Sequence, residues 1–195
     1  MEAKQIRVAA SAPCTDPFGA ISQRCLENVM DVLAEPNAHL IGVYGSNHEL
    51  KHTLIEKVCR RVLRDKLFDR VLIVTASKKP DVKKTQEEVT CQLRLTFNYK
   101  SKHDVKKIQE DIAGQLGLTF NNKSKDKRAH KLIERLKIEQ KILIILSDLH
   151  KELDLSKVGI PYGSHHTGCK ILLTSTTEDL LSNHMHTQHN FNIGS

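Results

Sequence analysis

Tryptophan is absent from this sequence, and aromatic residues make up only 4% of it. No apolar run approaches the ~18–20 residues of a helical membrane span. The first residues, Met-Glu-Ala-Lys-Gln-Ile-Arg, lack the apolar stretch of a secretory signal. Cysteines are few and scattered, at positions 14, 25, 59, 91 and 169, with no C-x-x-C pair. An odd, widely spaced set argues against a disulfide framework and a zinc-finger site, and it suits a reducing cytosol. Ser147, Ser175 and the cysteines lie in no nucleophile signature such as G-x-S-x-G. These absences point to a cytoplasmic chain with no membrane contact.

The composition that remains is that of a globular protein. With 195 residues, 39% of them hydrophobic and 27% charged, the chain can bury one sizeable core. The net charge is +7. Residues 78–137 alone hold 16 Lys/Arg against 8 Asp/Glu, so the rest is about neutral. A local basic excess can serve nucleic acid or acidic membrane. Here the lysines alternate with Glu and Asp at helical spacing and no aromatics interleave them, which favours a solvated helix face.

Hydrophobic patterning predicts alternating helices and strands. Residues 1–17, with Pro13 and Pro17, read as a loose leading segment. Ile21, Leu26, Val29, Met30 and Leu33 give a helix over 18–33, ended by Glu35-Pro36. Buried strands are predicted at 39–44, 70–76, 141–146 and 170–174, with helices at 50–64 and 82–94. Near-continuous apolar strands alternating with helices indicate a parallel sheet covered on both faces.

Two motifs stand out. Residues 81–102 reappear at 104–125, identical at 15 of 22 positions with an offset of 23. Val105, Ile108, Ile112 and Leu116 form a clean apolar stripe in the second copy, whereas Thr85 interrupts it in the first. One copy is therefore expected on the sheet, and the other as an extra helix with a loop. The second motif follows the first strand. Gly45 is followed by Lys51 at the spacing of a phosphate-binding loop, G-x-x-x-x-G-K-[ST], but Leu50 and His52 occupy the last glycine and hydroxyl positions.

The loop at 40–62, the strand 70–76 with Ser77-Lys-Lys-Pro-Asp-Val82, Leu146-Ser-Asp-Leu-His150, Asp154–Pro161 and Gly168–Thr176 occur in series. In this order the chain resembles the nucleotide-binding part of a plant NB-ARC domain, of the kind found in coiled-coil-type NLR disease resistance proteins. The resemblance covers roughly 18–194, apart from one copy of the duplication. It implies a P-loop NTPase-like α/β fold with about five parallel strands and helices on both faces, Asn190–Ile193 beginning the last strand. It also leads one to expect a truncated member lacking the ARC subdomains and leucine-rich repeats, hence half of the family's nucleotide pocket and an exposed apolar face.

Residue by residue, the resemblance carries cofactor binding onto Gly45, Lys51 and Thr53. Asn47, His48 and Leu50 stand where the family has glycines, and those glycines let backbone N–H groups wrap phosphate. Glu49 adds a carboxylate where an anion would sit. His52 replaces the hydroxyl that binds Mg²⁺, for which imidazole is a poor ligand. Ser147 replaces the Mg²⁺-linked Asp, and Thr176 the phosphate-sensing Arg. Asp148 is the one retained catalytic candidate. Phosphoryl transfer depends on such positioning and charge neutralisation. The expectation is therefore no catalytic residue, no metal and no required cofactor: a pseudo-NTPase acting by protein contact in defence signalling. Its partner would be a full-length receptor or a second copy. Alternatives are a residual switch that binds ADP or ATP weakly, and a basic binder of nucleic acid or another anion. His165, His166, Cys169, His184, His186 and His189 are metal-capable residue types in loop-like stretches, and surface loop residues are the preferred reading.

Overall fold

The computed structural model describes residues 17–75, 105–121 and 124–194. The expected helix over 82–94, the first copy of the duplication and the leading segment up to residue 16 lie outside these residues.

Five strands form one parallel sheet: β1 (Leu40–Tyr44), β2 (Arg70–Thr75), β3 (Ile142–Leu149), β4 (Cys169–Ser175) and β5 (His189–Asn192), in the spatial order β2-β3-β4-β1-β5. Alternate residues of β1 to β4 feed two separate cores, which is why these strands read as nearly unbroken apolar runs, whereas β5 is only partly buried. Ile142, Ile144 and Leu146 of β3 face one core, and Leu143 and Ile145 the other. Each such fully buried side chain contributes about 1.5–3 kcal/mol.

The second core is closed by α1 (Pro17–Ala34) and α2 (His48–Arg64). Pro17 opens α1, a position where its missing N–H costs nothing. Lys170 of β4 is buried beneath the far end of that helix, and its ammonium donates to the Glu35 carbonyl. Burial lowers the pKa of this lysine.

The first core is closed by α3 (Val105–Gln115), α4 (Lys125–Leu136), the short α5 (Leu155–Val158) and a π-helical turn at Leu180–His184. Helix α3 belongs to the second copy of the duplication. Of the predicted stripe, Ile108, Ile112 and Leu116 are buried and Val105 is partly buried, and Ala113 is buried beside them. Gln109 is fully buried and donates from Nε2 to the carbonyls of Lys125 and Lys157, both at 3.0 Å. Gln115 acts as a short substitute strand on the sheet edge. Its Oε1 accepts from Ile73 N–H (3.1 Å) and its Nε2 donates to Ile73 C=O (2.8 Å). Among the described residues, this pair of bonds partly covers the edge of β2.

Among the described residues the only large hydrophobic side chain left exposed is Ile138. The broad apolar face expected of a truncated domain is not found there, because the chain's own helices cover both sides of the sheet.

Candidate functional site

The carboxyl ends of β1, β4 and β3 lie side by side, with Tyr44 and Leu149 both registered against Ser175. In open parallel sheets this is where ligands bind, beside a strand whose connections reverse direction. The loop after β1 is only three residues long, Gly45-Ser46-Asn47, before α2 begins at His48.

Helix α2 starts two residues earlier than its apolar spacing predicted, and the reason is Asn47. Its backbone is extended (φ −81°, ψ 108°) and its Oδ1 accepts from Leu50 N–H at 3.1 Å, while its carbonyl accepts from Lys51 N–H at 3.3 Å. This is an N-cap. Two N–H groups that a phosphate-wrapping loop would direct at a ligand are taken up inside the helix. Glu49 is exposed in the first turn, where a carboxylate complements the positive end of the helix dipole. Leu50 packs against the second core and lies near Gly194, just beyond β5.

Gly45 is kept for a packing reason. A Cβ there would come 2.8 Å from the Gly194 carbonyl oxygen and 3.0 Å from Ile193 Cγ2. Its N–H donates to the Ser175 carbonyl at 3.2 Å.

Lys51 is 2% exposed. Its ammonium donates to the same Ser175 carbonyl (3.2 Å) and sits 3.4 Å from Asp148 Oδ1. His48 Nδ1 approaches that carboxylate oxygen as well, at 3.2 Å. Asp148 is held for this contact by a bulge in β3. The ladder to β4 steps from Leu146↔Leu173 to Leu149↔Ser175, leaving one extra residue on β3. Asp148 has φ 58°, in the left-handed region, and its N–H is taken by the Thr174 hydroxyl at 2.9 Å. The strand runs through Asp148 to Leu149.

The remaining predicted positions are not brought together with these. Ser147 is buried and donates its hydroxyl to Thr75 Oγ1 at 3.1 Å. His52 Nδ1 lies 3.3 Å from Glu56 Oε1, one turn further along α2. Thr53 and Thr176 are exposed. The Ser175 carbonyl and His48 as a carboxylate partner had no signal in residue order, since the first is backbone and the second required knowing that the helix starts at 48.

The metal-capable residues are dispersed. Cys169 opens β4 and is fully buried, with burial pushing its thiol pKa to about 12. His166 has both ring nitrogens on backbone groups, Nε2 with Leu136 C=O (3.1 Å) and Nδ1 accepting from Gly168 N–H (3.2 Å). His184 ends the π-helical turn beside Asp179 and Glu152, and His189 opens β5. Two histidines read as loop residues thus belong to regular elements.

Comparison with known proteins places this geometry. The sequence profile described as "NB-ARC domain" matches residues 22–194. Disease resistance protein RPS5 of Arabidopsis thaliana is 26% identical over 156 residues, which cover 80% of this chain and 15% of that protein. Disease resistance protein At4g27190 of Arabidopsis thaliana is 29% identical over 163 residues, covering 80% and 14%. The chain thus spans about 15% of the length of these relatives. Among solved structures, Drosophila ORC bound to DNA has a similar fold, with a TM-score of 0.53 at 14% identity, covering 91% of this chain and 94% of that one. The P-loop NTPase-like α/β architecture, the order of its motifs and the profile match lead to one assignment: the chain belongs to the NB-ARC domain family.

Proposed function

We propose that this NB-ARC domain keeps the P-loop fold but no longer handles nucleotide, and that it acts by protein contact in defence signalling. The observation that supports the first part is Lys51. The one cation at the loop's phosphate-facing position is buried on an internal carboxylate and an internal carbonyl. An incoming phosphate would have to displace Asp148, a like-charged group already in place. It would meet no open backbone cradle, because Asn47 has drawn Leu50 and Lys51 into a capped helix. The residues present do not fit a Mg²⁺–nucleotide: His52 and Ser147 are both engaged with other side chains. With no positioned phosphate and no metal, neither component of phosphoryl-transfer catalysis is supplied.

Defence signalling rests on the relatives, which are disease resistance proteins. Contact with a full-length receptor or a second copy is the mode we propose in place of nucleotide switching.

Two measurements test this. Release of labelled phosphate from ATP by the wild-type chain should equal that of Lys51→Ala, and a Lys51-dependent turnover would overturn the pseudo-NTPase reading. Light scattering after size exclusion, alone and mixed with a full-length receptor, should show an assembly, and a monomer in both at high concentration would count against protein contact.

A further inference from the structure

The duplication is not absorbed by the loop chemistry, and its second copy shows what docking on β2 requires. The slot takes Val105, Ile108, Ile112, Ala113, Leu116 and Phe120 into the first core, with Gln109 and Gln115 making the backbone contacts described above. At the offset of 23, the first copy presents Val82, Leu93 and Phe97 unchanged, and both glutamines as Gln86 and Gln92.

Connection lengths favour the first copy. Five residues, 76–80, separate it from Thr75, whereas 28 residues, 76–103, precede the second. A strand and its following helix are ordinarily joined by ~2–6 residues. The two registers differ only in which side of the docked helix carries the extra 23 residues of chain, and closure entropy changes little with where they fall.

Side chains favour the second copy. Thr85 would put a hydroxyl where Ile108 is 4% exposed, and Thr90 would crowd the place of Ala113, 2% exposed. Arg94 would replace Gly117, whose φ of 68° suits glycine. Cys91 in place of Gly114 is neutral, since a Cβ there meets nothing within 4 Å.

We propose that the first copy can take the second copy's place on the sheet, so that the tandem duplication gives this chain two interchangeable helix registers, with the second copy dominant. The site at Lys51 lies on the opposite core and is unaffected by the choice.

A mutant cycle in the full chain tests this, read by thermal unfolding and peptide-resolved hydrogen exchange. Val89→Asp alone should be silent. Ile112→Asp alone should keep a cooperative transition, with protection falling over 105–118 and rising about tenfold or more over 82–95. The two together should abolish the transition, a non-additivity that marks exchange between the copies. The gentler pair Ile108→Thr with Gly117→Arg should also raise protection over 82–95. Loss of folding with Ile112→Asp alone, an unchanged 82–95 in the gentler pair, or an effect of Val89→Asp that is the same in both backgrounds would overturn the proposal.

Discussion

Lys51 and Asp148 form an ion pair 3.4 Å long across the carboxyl ends of the sheet, the lysine buried and the carboxylate 17% exposed. The family resemblance assigns these two positions to a phosphate-binding lysine and a catalytic acid. In the structure each is the other's partner, brought together by an early helix start and a strand bulge.

Removing one partner of a buried pair leaves the other charge uncompensated, which costs about 3 kcal/mol or more. Asp148→Ala should therefore lower stability to urea by about that amount. Lys51→Met should cost less, because it removes the buried charge and leaves Asp148 with His48 and solvent. The double variant should be less destabilised than the sum. Additive losses would show that the pair does not couple.

Two glycines should respond oppositely to alanine. Gly45→Ala forces a Cβ to 2.8 Å from the Gly194 carbonyl and should destabilise by about 1–3 kcal/mol. Gly114→Ala, exposed on α3 with open space around the new methyl, should stabilise by about 0.5–1 kcal/mol. Urea midpoints of the two variants check both signs.

Asp154 caps α5, accepting from Lys157 N–H at 3.1 Å. That bond, and then the Lys157 side chain, hold its carboxyl below the ordinary value of 3.8. A lowered carboxylate stabilises the fold fully above its unfolded pKa and loses that contribution as pH falls through the folded one. Asp154→Ala should thus cost about 0.5–1 kcal/mol at pH 7, small because the group is exposed. The difference from wild type should shrink as the pH falls below 3.8 and through the lowered folded pKa. Denaturation at several pH values measures it.

Burial raises the thiol pKa of Cys25 to about 11 and of Cys59 and Cys169 to about 12. At pH 8 all three remain protonated and shielded, so alkylation should be slow in buffer and rapid in denaturant. Peptide-resolved maleimide labelling reads each cysteine separately.

Much of the fold was legible because β1 to β4 are buried on both faces. A run such as Ile142–Leu146 admits few other readings. The stripe of Ile108, Ile112 and Leu116 marked the second copy as an amphipathic helix, but which copy docks on the sheet was left open by the sequence. Three features were not legible. The helix start depends on the side-chain geometry of Asn47, and the apolar spacing of α2 carries no trace of it. The bulge at Ser147–Asp148 interrupts a strand whose composition does not change, so the strand was ended too early at 146. Gly45 looked like a remnant of phosphate binding, yet its contact is with Gly194, 149 residues away. Long-range backbone approaches of this kind leave no local pattern.

Titration calorimetry with ADP and Mg²⁺ tests the occupied lysine most directly. With Lys51 held by Asp148 and Ser175, the wild-type chain should give no binding heat up to millimolar ADP, with or without Mg²⁺. Saturable binding at micromolar ADP, lost in Lys51→Ala, would contradict it.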